Sequence, residues 1–379
     1  MGSTCGPRHA RSLEVDSDNK KLSSQEAAPM RTPIFPAELL DDTLDARLAY
    51  FKDCVVTHQL IKPIQDLVDS LWPTSRSTTT HQEHVLIFGH TGTGKSSFVA
   101  AMETHYPRTP AHEVEIIPFL RFNIPSSCTP KEIYIEALRA YTQVAPSDAV
   151  IIHDEATVRK RESGTEGALK RRLFDYALQC RTLVWNMDEI QHIQHAGRFG
   201  FSIPYMLDMI KHIADEAGVM LLMTGTPDTP GMFALSPQLA RRFRRKRLMH
   251  YQNFDPRCPN APDTLYFVEL LQTLEDRLPL QSPSNLILLA PMLYQYSLGF
   301  IGLLKPWLTR ALKVAIITKQ DRVTKAILER TRWSDEELEE FQQKIEREAK
   351  VLRLSLEATR AITESTDDTR LSKRRSRAN

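Results

Sequence analysis

The stretch HVLIFGHTGTGKSS, residues 84–97, constrains what this chain can fold into more than any other. An apolar run of strand length (84–89) meets a glycine-rich turn that opens into the helical pattern KSSFVAAMETHY (95–106). The turn matches G-x-x-x-x-G-K-[ST] in full, in the strand-to-helix context that gives the motif its meaning. Gly89, Gly92 and Gly94 let the backbone curl, so that successive N–H groups from Thr91, Thr93 and their neighbours to Ser97 point inward. With the positive end of the next helix they form a cradle for nucleotide phosphates. In that cradle Lys95 reaches the β- and γ-oxygens and Ser96 is a ligand for Mg²⁺.

The surrounding sequence supplies a matching fold class. EVEIIPFLRFNI (113–124), TLVWNMDEI (182–190), GVMLLMTGT (218–226) and RLMHYQNF (247–254) read as further strands, with Pro118 placing the first of them at a sheet edge. Helical patterns at 129–141, 168–180 and 204–217 alternate with them, and Thr129 with Glu132 forms a capping box. Buried strands with intervening helices predict an α/β domain, a five-stranded parallel sheet flanked by helices, over 77–260. Residues 33–76 read as an N-terminal helical segment broken near Pro63, and 261–330 as a small all-α lid. A charged amphipathic helix capped by Ser334 opens a C-terminal segment (331–379) that ends in a basic tail, and residues 1–32 are polar enough to predict disorder.

Composition narrows the setting. The five cysteines are scattered and odd in number, which argues against a disulfide framework or a zinc site and fits a reducing cytoplasm. No apolar run approaches eighteen residues. A net charge of only +2 means that a strongly charged partner must be met by local clusters.

A phosphate cradle needs carboxylates nearby to do chemistry. LVWNMDE (183–189) ends an apolar strand in Asp188 and Glu189, some ninety residues past the loop. Asp188 would orient Mg²⁺ through its water and Glu189 would polarise the attacking water. The rival HDE at 153–155 lacks a strand of similar length. Thr224 and Thr226 end the next strand, where a hydroxyl touches either the γ-phosphate or the following turn. The basic run SPQLARRFRRKR (236–247) puts six cations into twelve positions. By itself it reads equally as a nucleic-acid patch, a solvated face, or a partner for a phosphate.

This order of parts is similar to the AAA+ ATPases. Within them, MDEIQH followed by LLMTGTPDTPGMFALSPQLARRF resembles the TniB/TnsC family of transposition regulators, relatives of IstB and of helicase loaders. Residues 188–192, 225–227 and 238–243 carry the likeness, with Gln191-His192 standing where the family commonly has a single His. The segment 299–316 resembles the family's lid, but the usual lid arginine has no evident counterpart and Lys305 is the nearest cation. The resemblance implies that Arg242, with Arg241 beside it, enters a neighbouring subunit's ATP site as a finger, leaving 244–247 as a solvated face. It also implies a homo-oligomeric ring or filament on duplex DNA, bound through phosphates without base reading. Candidates for that contact are Lys131, the cluster Arg159, Lys160 and Arg161, and the cluster Lys170, Arg171 and Arg172.

The function implied is an ATP-dependent regulator of DNA transposition, joining a target-selection protein to a transposase. A helicase loader or replication initiator would use the same ATP site, and a nucleotide switch without DNA contact is a third possibility. The helix from 334 to 357 reads as a structural arm or a partner site.

Overall fold

The computed structural model describes residues 34–56, 58–76, 82–111, 115–142, 164–236 and 241–375, with 358–375 as backbone only. Five parallel strands form its sheet: β1 (His84–Phe88), β2 (Phe119–Asn123), β3 (Val184–Asp188), β4 (Met220–Gly225) and β5 (Phe243–Arg247). Their order is β2-β3-β4-β1-β5. All residues of β1, β3 and β4 are buried, as expected of strands covered on both faces. Because β4 lies between β1 and β3, its tip stands between the loop that follows β1 and the carboxylates that end β3.

Two apolar layers cover the sheet. Helices α4 (Pro130–Thr142), α5 (Glu166–Gln179) and α6 (Ile203–Ala217) pack on one face around Trp185, Leu221 and Met223. On the other, α2 (Lys62–Leu71) and α3 (Lys95–His105) enclose Val85, Ile87 and Leu222. The sequence dictates the helix ends: Thr165 accepts from the Ala168 amide to start α5, and Ser202 from Tyr205 to start α6. Gly218, at φ 65°, ends α6 in the left-handed conformation. A ten-residue 3₁₀ segment (Ile190–Phe199) and the short α7 (Thr229–Ala234) follow β3 and β4.

A third cluster is the helical lid. It comprises α8 (Pro262–Glu275), α9 (Ala290–Ser297), α10 (Ile301–Ile317) and α11 (Lys325–Thr331), with Trp307 fully buried at its centre. The N-terminal helix α1 (Leu44–Asp53) packs here through Leu48 and Phe51, whereas α2 packs on the sheet. The segment 33–76 is thus shared between two bodies, and Pro63 starts α2 instead of breaking a helix. No single helix among the described residues is long and apolar enough to cross a membrane.

Three sequence expectations need correction. The last strand is Phe243–Arg247, not 247–254, so the basic run is itself β-structure. An edge strand tolerates this, because alternate side chains face water and charged edges resist pairing with other chains. Arg245 and Arg247 are consequently half-buried, with guanidinium pKa values lowered by burial, and are not part of a wholly solvated face. The second strand is confined to Phe119–Asn123, since Pro118 cannot donate to a ladder. The C-terminal helix α12 continues from Asp335 to Arg375, through most of the segment expected as a polar tail. Arg159, Lys160, Arg161, the 153–155 acids and the 1–32 segment lie outside the described residues.

Three histidines make the fold sensitive to acid. Burial lowers His58, His84 and His250 to about 4; for His84 the nearby Asp215 opposes the shift, and for His250 the charges of His90 and Arg247 add to it. Each is neutral when folded, whereas the unfolded chain takes up the proton near pH 6.5. Stability is therefore full above about pH 6.5 and is lost as the pH falls towards 4. The two most buried, His58 and His84, together account for on the order of 5 kcal/mol. Urea midpoints are expected to fall steadily from pH 7 to pH 4.5; a flat profile would refute the assignment.

Candidate nucleotide-binding site

The loop between β1 and α3 has the curl that its glycines permit. Gly92 and Gly94 take φ values of 82° and 98°, which side-chain-bearing residues rarely adopt. Thr93 is buried and donates its hydroxyl to the His90 carbonyl at 2.8 Å. Lys95 Nζ donates to the loop's own carbonyls, Gly89 at 2.8 Å and His90 at 2.9 Å. Burial lowers the Lys95 pKa, opposed by the charges of Glu348, Asp188 and Glu189. A cavity of about 590 Å³ opens here, lined on the loop side by Thr91, Gly92, Gly94, Lys95, Ser96 and Ser97.

Carboxylates reach the loop from β3. Ser96 Oγ stands 3.5 Å from Asp188 Oδ2, and Thr224 at the tip of β4 donates its hydroxyl to Asp188 Oδ1. Arg121, from β2, lies 3.6 Å from Asp188 Oδ2 and 3.3 Å from Glu103 Oε2. The strand order thus brings the loop serine, the strand-end aspartate and the threonine into one contact chain. Glu189 lines the cavity from a left-handed backbone conformation (φ 57°). Such a conformation costs a non-glycine residue about 1 kcal/mol or more, and it turns the carboxylate out of the strand direction. The Glu189 side chain accepts from Gln191 Nε2, whose oxygen accepts from the Thr226 amide at 3.3 Å. Thr226 donates its own hydroxyl to Asp228, which directs it at the turn.

The lid closes the other side. Gly302 N–H donates to the Gly92 carbonyl at 2.9 Å, and a Cβ on Gly302 would lie 2.6 Å from Gly92 Cα, so only glycine allows this approach. Lys305 lines the cavity, but its ammonium is held by the carbonyls of Lys52 (2.7 Å) and Cys54 (2.6 Å). It ties α1 to α10 instead of standing free as a phosphate sensor.

Elements that the sequence did not connect to the site also meet here. Glu348 of α12 accepts from the Thr91 amide (3.1 Å), the Thr91 hydroxyl (2.9 Å) and His90 Nδ1 (3.0 Å). Lys344, one turn earlier, lines the cavity. The i, i+4 spacing of these two residues was visible in the sequence, but nothing in it indicated where the helix would lie. Arg121 was equally silent, being one polar residue in an edge strand.

Arg242 is remote from this cavity. The parallel register pairs His84 with Phe243 and Phe88 with Arg247, so Arg242 stands a strand's length, about 17 Å, from the loop end of the sheet. Its guanidinium contacts Asp215 at 2.8 and 3.1 Å. Arg241 is exposed and has no hydrogen-bond or ion-pair partner among the described residues.

The other cations differ in freedom. Lys131, in the first turn of α4, is exposed. Lys170 spends its charge on Glu216 at 2.7 Å and lies over the Phe174 ring. Arg171 is exposed, with Nε donating to the Gly167 carbonyl at 3.3 Å, and Arg172 is partly buried. Among the described residues no group of three or more His, Cys, Asp or Glu could hold a metal by itself. An ion here would need ligands from a bound triphosphate, beside the Ser96 hydroxyl and the Asp188 carboxylate.

A family model described as "Bacterial TniB protein" matches residues 47–253, which span the phosphate loop, Asp188, Glu189, Thr224 and the arginine pair. No curated protein matches the chain in sequence. Among solved structures, the chain is similar to the Aeropyrum pernix ORC1 protein in complex with DNA, at 15% identity and TM-score 0.48 over 75% of this chain and 67% of that one. It is also similar to the Aeropyrum pernix ORC2 protein in its ADPNP–ADP complexes (14%, TM-score 0.47, over 73% and 66%). A Walker-type ATPase of Pyrococcus abyssi is a third (15%, TM-score 0.44, over 80% and 76%).

Proposed function

The chain belongs to the TniB family and is an ATPase of AAA+ type; from that premise we propose that it is an ATP-dependent regulator of DNA transposition. In this reading ATP-bound subunits assemble on duplex DNA, and the assembly joins a target-selection protein to a transposase. Hydrolysis then takes the assembly apart. The observation that carries it is the distance between the arginine pair and the chain's own phosphate loop. A guanidinium at the far end of the sheet serves no purpose in its own site, but it can complete a neighbour's.

Within one subunit the residues divide the work. Lys95 would exchange the carbonyls of Gly89 and His90 for phosphate oxygens. Ser96 and Asp188 would hold Mg²⁺ with the triphosphate, and the ion supplies neutralising charge. Thr224 fixes Asp188 by its hydrogen bond, and Glu189 takes the proton of the attacking water, with Gln191 setting its direction. For DNA, the exposed Lys131 and Arg171 sit on α4 and α5, helices that pack together, and are better placed than the paired Lys170. Contacts of this kind are individually weak and add along an assembly.

Gel filtration and negative-stain imaging with Mg·ATPγS and plain duplex of varied length test the reading. Length-dependent assemblies are expected with the analogue and not with ADP, and their formation should weaken as salt rises. A chain that stays monomeric at saturating analogue and long duplex would overturn the proposal.

A further inference from the structure

The C-terminal helix α12 lies outside the segment that matches the family, and its charged sequence left open whether it is a structural arm or a partner site. It is instead seated along the body of the protein. At its start Ser334 and Glu337 form a reciprocal cap, and Leu338 and Phe341 pack on the lid around Phe300 and Leu303. Further on, Leu352 is buried in the main sheet cluster, and Ser355 stands against Gly231 of α7. Between these two anchors the same helix face presents Lys344 and Glu348 to the phosphate loop.

Glu348 is bound as an anion. Its carboxylate takes three donors, two of them from Thr91, and its side chain is only 17% exposed. Burial pushes its pKa up, but the hydrogen bonds from His90 and Thr91 outweigh burial and hold it below the ordinary value. Lys95 feels Glu348 as the largest of its charged neighbours and Lys344 as an opposing cation. Lys344 is exposed, lines the cavity, and has no hydrogen-bond or ion-pair partner among the described residues.

We infer that α12 is a strap that sets nucleotide affinity in cis, with Glu348 as an internal anion opposing the polyphosphate and Lys344 as the cation that receives it. The strap deepens the nucleotide-site assignment above and rests on it. A triphosphate brings several negative charges to a loop that already holds a carboxylate, and repulsion in this half-buried setting is only partly screened. The lid's own cation, Lys305, is engaged with backbone carbonyls, and of the cations that line the cavity Lys344 is the one that α12 contributes, one turn from Glu348. The two residues lie one turn apart, yet their removal should act in opposite directions. A helix that merely props the loop would give a loss for Glu348→Gln, whose carboxylate holds Thr91, and no change for the unpartnered Lys344→Gln.

The test is titration of the full-length chain with Mg·ATPγS and with Mg·ADP. Glu348→Gln keeps the size of the side chain and removes its charge, and is expected to tighten ATPγS binding about 5-fold. Lys344→Gln, at an exposed position with no fold to lose, is expected to weaken it by a similar factor. Both effects should be smaller for ADP, which carries less charge. Weaker binding in Glu348→Gln, or unchanged binding in Lys344→Gln, overturns the strap while leaving the nucleotide site intact. Absence of any nucleotide binding by the unmodified chain overturns the site itself.

Discussion

Replacing Arg241 and Arg242 together by alanine is expected to leave nucleotide binding within about 2-fold and to cut ATP turnover about 10³-fold, the scale of a guanidinium supplied to a γ-phosphoryl group. The reason is geometric. The pair stands at the opposite end of the sheet from the phosphate loop, so nothing in a subunit's own cavity is disturbed by its loss. Between the single variants, Arg241→Ala should carry the larger share. Arg242 already has Asp215, and it would have to give up that pair before reaching elsewhere, whereas Arg241 is exposed and uncommitted. Stability should change little, because the Arg242–Asp215 pair lies at the surface with 22% and 27% of its side chains exposed, and surface pairs contribute about 0–1 kcal/mol. Mixing provides the decisive arm. Subunits carrying Lys95→Ala cannot turn over ATP but keep their arginines; added to the arginine variant, they should restore part of its activity. No recovery in the mixture, or full turnover in the double variant, would remove the finger from the mechanism.

How far the site could be read in advance depended on whether its residues are neighbours in sequence or only in space. The curl of the candidate phosphate loop was legible, because its glycines, lysine and serine lie on one continuous stretch of backbone. Asp188 and Glu189 were picked out because they end a buried strand some ninety residues past the loop, and the strand order brings Asp188 to Ser96. The final strand was misplaced for a physical reason: FRRKR has the alternation of an edge strand, but its outward and half-buried positions are both filled by cations, so hydropathy hides the period. Glu348 left no trace of its role. A Glu in the run EREAK reads as a solvated helix face, and only the path of α12, fixed by Phe341 at one end and Leu352 at the other, brings it to Thr91. Lys305 failed the other way, since its place in the lid was foreseen but not the two carbonyls that occupy it.

Glu189 carries the second large effect. Glu189→Gln should lower turnover about 10³-fold while nucleotide binding and assembly on DNA persist, because the amide keeps the shape of the side chain and cannot take a proton. The backbone supports this division of labour. Asp188 is buried and directed at Ser96, Thr224, Arg121 and the Glu189 amide, which places its carboxylate at the ion's position and leaves the attacking water to Glu189. Glu189 keeps an oxygen that none of the described residues engages by hydrogen bond, on a strained left-handed residue that points it into the cavity. The hydrolysis-deficient variant should therefore accumulate in the ATP state, and its assemblies on duplex should outlast those of the parent chain when free ATP is removed. Asp188→Asn provides the contrast. It removes the carboxylate facing Ser96, so turnover should fall and nucleotide should also bind less tightly when Mg²⁺ is present, with little change when the metal is chelated. If Glu189→Gln instead hydrolysed ATP at the parent rate, the base would have to be sought elsewhere. If its assemblies dissociated as fast as those of the parent, hydrolysis would not be the step that ends assembly.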